Sequence, residues 1–194
     1  MDRRTVFNTP VITPVFFGLC WLWLRLVGWK VKGAPPRVSR FVVIACPHTS
    51  NWDVPFTIAI SMVYRLKIYW LGKASLFRGP MGPMMKWLGG IPVNLDRSEN
   101  LVRQMADAFK LADELIIVIA PEGNRSYVHR WKTGFYHIAL AAKVPIVLGF
   151  LDYQRKEGGY LDSYSPTGDL DKDIKSMQAK YAGIKGRYPD QSRW

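Results

Sequence analysis

The stretch FVVIACPHTSNWD, residues 41–53, decides how this chain is read. Phe41, Val42, Val43 and Ile44 form a short apolar run of β-favouring residues, the pattern of an interior strand. Pro47 ends it, because proline has no N–H to give to a sheet ladder. Thr49, Ser50 and Asn51 then offer capping side chains to a helix over residues 52–64, with Pro55 tolerated in its first turn. His48 therefore falls where strand gives way to helix, the usual place for ligand-binding groups in α/β folds.

His48 and Asp53 are five residues apart, so on one continuous helix they would point about 140° from each other. They meet only if His48 lies in the turn before the helix and Asp53 lies inside it, and the break at 47–51 allows this. An aspartate accepting from one imidazole nitrogen fixes the tautomer and leaves the other nitrogen free to take a proton. No serine on a G-x-S-x-G elbow is present for the pair to activate, so the proton donor would be a substrate hydroxyl. A purely structural His–Asp pair is the competing reading. Metal ligation by His48, His129 and Asp53 is weaker, since no H-x-x-x-H or cysteine cluster accompanies them, and no metal is expected. Cys46 ends an apolar strand and reads as buried and inert.

At 194 residues the chain fits one domain with a substantial core. Lysine and arginine number 27 against 15 acidic residues, a formal charge of +12 that favours an anionic partner. Eight tryptophans lean toward a membrane surface, and no zinc module, RNP pattern or recognition helix supports a nucleic-acid partner. Two cysteines in apolar stretches imply a reducing compartment. Residues 11–29 are strongly apolar, but the charge-free core, 11–24, is short of the about 20 residues a span requires and contains Pro14. Arg25 and bulky neighbours stand where a signal cleavage site would follow. The segment suits a helix lying in one leaflet, with Trp21, Trp23 and Trp29 beside Arg25, Lys30 and Lys32 at the headgroups; a buried core helix is the alternative.

Further on, apolar strands over 68–71, 115–120 and 144–151 alternate with helices over 99–112, 135–143 and 169–182, which makes the fold α/β. Lys73 follows one strand, facing either the cleft or solvent. Residues 79–90, rich in glycine, proline and methionine, form either a pliable apolar wall or an ordinary short core helix. The strand over 115–120 runs into Glu122, Gly123, Asn124, Arg125 and Ser126. There Gly123 permits a tight loop with exposed N–H groups, and Arg125 offers a planar fork for phosphate. Glu122 would repel phosphate, so it is expected to orient Arg125 or to accept from substrate hydroxyls. Residues 155–159 read as a hairpin turn and 185–194 as a basic, disordered end.

HTSNWD resembles the H-x4-D block of the glycerolipid acyltransferases, the 1-acylglycerol-3-phosphate acyltransferase family. GGIPVNLDRS (89–98), APEGNRS (120–126) and VPIVLGFLDY (144–153) follow in that family's order, so the likeness runs from about 41 to 153. It implies a single α/β domain with a mixed central sheet flanked by helices, as in glycerol-3-phosphate acyltransferase, with 1–33 as a membrane-associating segment and 34–194 as the catalytic domain. It implies His48 and Asp53 as catalytic. Lys73, Arg97 and Glu122–Ser126 would bind phosphate and glycerol, although Arg97 stands two residues later than in the I-P-V-x-R form. The implied reaction moves an acyl group from acyl-CoA or acyl-carrier protein to a lysophospholipid, most simply 1-acylglycerol-3-phosphate giving phosphatidic acid. Backbone N–H groups near Gly123, or Lys73, would hold the oxyanion. No cofactor is expected beyond the thioester co-substrate. Membrane phospholipids are the expected surroundings, with monotopic or peripheral attachment on the cytoplasmic face. Another lysolipid acceptor, or a non-catalytic lipid-binding role, is the alternative.

Overall fold

The computed structural model describes residues 3–93 and 98–192. Seven strands, β1 (Lys30–Lys32), β2 (Arg40–Ala45), β3 (Ile68–Lys73), β4 (Gly90–Val93), β5 (Leu115–Ile119), β6 (Ile146–Asp152) and β7 (Glu157–Tyr164), form one sheet in the order β1-β7-β6-β2-β5-β3-β4. Every pairing is parallel except β6 with β7, which are antiparallel and joined by a short hairpin. The sheet is mixed, as expected.

Strand β2 is central and buried on both faces. Val42 and Ile44 point into one apolar cluster, Phe41 and Val43 into another. β5 repeats the pattern, with Leu115 and Ile117 on one side and Ile116 and Val118 on the other. A strand apolar at every position satisfies two layers at once, and this explains the unbroken runs in the sequence. On the first face pack α4 (Ser98–Leu111), α5 (Gly134–Ala142) and α6 (Leu170–Lys180), contributing Met105, Phe109, Phe135, Ile138 and Met177. On the other lies α2 (Asp53–Val63), and α1 (Ile12–Leu26) packs outside it. The short α3 (Gly82–Trp87) completes the fold beside them.

Helix α1 is apolar all round and buries only one side. Cys20 and Leu24 are buried against α2, while Ile12, Val15, Leu19, Leu22 and Leu26 form an exposed stripe at helical spacing. Among the described residues no helix is long and apolar enough to cross a membrane. Two of the tryptophans expected at headgroups are instead packing residues: Trp29 is buried, and both Trp23 and Trp29 stack on Phe56 of α2 at 4.7 and 4.0 Å. Their rings gain more contact there than at an interface. Trp21 stays exposed under the Arg25 guanidinium. Residues of the 1–33 segment belong to the packed body, since Val6 is buried and β1 joins the sheet beside β7.

The far end is ordered to residue 192, against the expectation of disorder. Tyr153 N donates to Lys185 O (2.9 Å) and Tyr188 N to Thr49 Oγ1 (3.2 Å), and these bonds hold the segment on the domain. Asp173 anchors α6. Its carboxylate accepts from Tyr136 Oη (2.8 Å), Tyr164 Oη (2.7 Å), Thr167 N (2.7 Å) and Thr167 Oγ1 (2.8 Å), tying the helix to α5 and the end of β7. Replacing Asp173 by alanine leaves the buried Tyr136 hydroxyl and three less buried donors without their acceptor at once. Urea unfolding of Asp173→Ala is expected to show a loss of about 3 kcal/mol or more.

Candidate active site

The turn after β2 folds back on itself, and this brings histidine to aspartate. Cys46 N donates to Gly149 O (3.2 Å), the Cys46–Pro47 peptide is cis, and α2 opens at Asp53. His48 Nδ1 then lies 3.0 Å from Asp53 Oδ2. The same oxygen accepts from Thr49 N and Ser50 N, each at 2.9 Å, so the carboxylate organises the loop before its own helix. The expected capping runs the other way: no side chain caps α2, and the backbone of Thr49 and Ser50 donates to Asp53 instead. Asp53 Oδ1 accepts from Tyr153 Oη at 2.6 Å. With only 4% of its surface exposed, Asp53 meets donors on both oxygens. Facing a carboxylate oxygen, Nδ1 serves as the donor nitrogen of the ring in the tautomer this contact selects. Among the described residues Nε2 has no protein partner, and the ring is 22% exposed.

Glu122 is where the structure departs most from the reading of the sequence. It is 1% exposed and does not pair with Arg125. Its Oε1 accepts from His48 N (2.9 Å) and faces Cys46 Sγ (3.5 Å), clamping the loop that carries the histidine. Oε2 is buried without a partner, so it is the atom with room for a proton. Burial raises the carboxyl to about 7, against the opposing pull of the His48 N–H bond. Beside it, burial and the Glu122 charge push the Cys46 thiol well up, which leaves the sulfur protonated and inert.

The rest of the loop lies outside. Asn124, Arg125 and Ser126 are exposed, and Asn124 Oδ1 accepts from Ser126 N at 3.0 Å. Gly123, at φ +69°, donates its N–H to Ala120 O (3.1 Å), so that group is taken by the turn and is not free for an oxyanion. Lys73 ends β3 and is exposed. Strand alternation sets it with Tyr69 and Leu71, on the opposite face from Trp70. It is not among the residues lining the cavity at His48. Arg97 lies outside the described residues. His129 and His137 are exposed, and among the described residues no cluster is suited to a metal ion.

Two residues of the site are absent from the expected set. Tyr153 closes the VPIVLGFLDY block and stands just beyond the end of β6, a strand-end position that is the signal for it. Gln191 has no such signal: with its amide turned so that nitrogen faces the surrounding carbonyls, it donates to Thr49 O (3.2 Å) and to Arg125 O, joining the histidine turn to the loop after β5. Arg187 lies over the Trp52 ring, 5.6 Å from its centroid.

His48 and Asp53 stand at an apolar cavity between α2 and the sheet, bounded by Val43, Ile58, Trp70, Val118 and Tyr160. Val54, Ile58 and Trp70 are shared with a second groove between α1, α2 and α3, where Phe16, Leu19 and Met84 complete the wall. Residues 79–90 thus supply a helix whose methionines face an apolar groove, not a closed core.

The family model described as Acyltransferase matches residues 30–147, which include the dyad, Glu122 and four of the parallel strands. The chain belongs to the acyltransferase family. The 1-acyl-sn-glycerol-3-phosphate acyltransferase of Haemophilus influenzae is 31% identical to this family member over 134 residues, 63% of this chain and 53% of that protein. The chain thus spans about half the length of that curated relative. The crystal structure of the 1-acyl-sn-glycerophosphate (LPA) acyltransferase PlsC from Thermotoga maritima has the same fold, with a TM-score of 0.57 at 16% identity, over 90% of this chain and 82% of that one.

The buried Glu122 carboxyl predicts a pH signature. With an ordinary value of 4.5 and a folded value of about 7, Glu122 binds more protons in the native state between those limits. Its contribution to stability is therefore full below about 4.5 and is lost as pH rises through 7. Relative to Glu122→Gln, the native protein is expected to lose on the order of 3 kcal/mol between pH 4.5 and 8 in urea titrations. A constant difference across that range would contradict the assignment.

Proposed function

We propose that this acyltransferase moves an acyl group from a thioester, acyl-CoA or acyl-carrier protein, to the free hydroxyl of a lysophospholipid, and that 1-acylglycerol-3-phosphate is the acceptor. The observation that carries the reading is the 3.0 Å contact of His48 Nδ1 with Asp53, at the head of an apolar cavity. Asp53 holds the ring, and Nε2 takes the proton of the acceptor hydroxyl. The freed oxygen bonds to the thioester carbonyl carbon, giving a tetrahedral oxyanion. The C–S bond then breaks, and the departing sulfur recovers the proton from His48 and leaves as a thiol. Positioned general-base help is worth about 10²–10⁴-fold, and holding both substrates in register lowers the barrier by about 7–11 kcal/mol more.

The groove beside α1 suits an acyl chain, since its walls are almost wholly apolar, and it shares Val54, Ile58 and Trp70 with the smaller cavity at the dyad. Arg125, exposed on the loop after β5, is a fork suited to the acceptor phosphate, with Ser126, Asn124 and Lys73 also exposed after strands; Arg97 is a further candidate from its place in the sequence block GGIPVNLDRS alone. No metal or cofactor takes part in the proposed reaction. The bare stripe of α1 supports shallow attachment to one leaflet, with Trp21 and Arg25 at headgroup depth. The two unpaired cysteines favour the cytoplasmic side.

With acyl-CoA, thiol release is expected only when lysophosphatidic acid is added, and phosphatidic acid is expected in the lipid mass spectrum. His48→Ala should lower the rate by roughly 10²–10⁴-fold. Release without acceptor would mark a thioesterase, and silence with every acceptor would mark a binding protein. Separately, the pair Leu22→Glu and Leu26→Glu, on the exposed stripe, should weaken co-sedimentation with anionic phospholipid vesicles by at least about tenfold without unfolding the protein.

A further inference from the structure

We propose that Tyr153 is a positioning residue for the dyad: its hydroxyl pins the second oxygen of Asp53 and so keeps the first aimed at His48. This extends the functional reading above and rests on it. Asp53 Oδ2 already serves three donors, His48 Nδ1, Thr49 N and Ser50 N. Oδ1 has Tyr153 Oη, at 2.6 Å. The carboxylate torsion of aspartate is broad and nearly two-fold, so a group bonded through one oxygen is free to rock. A donor on each oxygen removes that freedom.

Tyr153 is itself held firmly. Its N–H donates to Lys185 O at 2.9 Å, and Asp152 caps the next two residues through Gln154 N (3.0 Å) and Arg155 N (3.1 Å). The ring meets Trp29 edge-on at 5.0 Å and Phe56 edge-on at 5.7 Å. Those two rings stack on each other at 4.0 Å in the cluster that seats α1. The phenol is thus fixed by backbone and by aromatic edges, independently of Asp53. Burial, and then the carboxylate it touches, pushes the hydroxyl well above its ordinary value, so it acts as a donor throughout the working range. Tyr153 does not line the cavity at His48, so its action on the reaction passes through Asp53.

Tyr153→Phe tests this, because the ring and its seat are kept and only the hydroxyl is lost. Acyl transfer from acyl-CoA to lysophosphatidic acid is expected to lose about tenfold in kcat, with both KM values within about twofold and a fold kept at a melting temperature lowered by a few degrees, because one donor to a buried carboxylate is lost. In the substrate-free protein labelled with ¹⁵N-histidine, the His48 ring resonances, identified by their absence in His48→Ala, should move in Tyr153→Phe. They should stay in place in Tyr127→Phe, which lies beside His129 on the surface. A kcat within about twofold of wild type with unmoved resonances would overturn the proposal. So would a raised KM with kcat intact, which would make the phenol a substrate contact. If the native protein transfers no acyl group to this acceptor, the functional reading fails, while the ring resonances still decide for or against Tyr153.

Discussion

A carboxylate at the first position of a helix, buried and ringed by donors, is the constraint on which the site depends. Asp53 accepts from an imidazole, two backbone amides and a phenol; the first three come from the turn before α2 and the phenol from just beyond the end of β6. Burying a charge is costly unless its lone pairs are met, so the surrounding chain must adopt the path that meets them. That requirement shapes the loop from Cys46 to Trp52. It also gives the aspartate two tasks, since the group that orients the histidine is the group that folds its loop. Glu122 clamps the same loop from the opposite side through His48 N.

The sheet explains why these groups converge. Parallel strands β2, β5 and β6 end at one edge, and His48, Glu122 and Tyr153 follow them in turn. Apolar layers on both faces hold the strand ends rigidly, and polar side chains are confined to the loops beyond. The histidine is presented at the boundary between a polar rim and an apolar cavity, the situation that a molecule with a charged head and a greasy tail requires.

Much of this was legible in the residues. The runs FVVI and LIIVI announce strands because a layer above and a layer below leave no room for polar positions. The break at Pro47 announces the turn, and five-residue spacing across a break announces the His–Asp contact. What could not be read are partners set by tertiary geometry. Tyr153 and Asp53 are a hundred residues apart, and nothing local to either names the other. Glu122 reads as a rim group because the polar run Asn124–Ser126 follows it at a strand end, yet the chain turns that side chain inward while Asn124, Arg125 and Ser126 stay out. Trp23 and Trp29 have the composition of interfacial anchors, but stacking on Phe56 draws them inside. The order of the final segment depends on Thr49 and Tyr153, far upstream, so its own basic composition gave no hint of it.

The rims of the sheet have a consequence for how copies of this molecule meet. One outer strand, β4, carries Pro92, which has no amide hydrogen to offer a newcomer. The other, β1, is three residues long, with Lys30 and Lys32 at its ends. Both margins are poor templates for an added strand. A molecule with an uncovered greasy helix is therefore spared the most damaging route to aggregation, backbone-to-backbone zippering. Crowding between neighbours falls instead on side chains of α1, where contact is reversible and a lipid or detergent competes directly for the same surface.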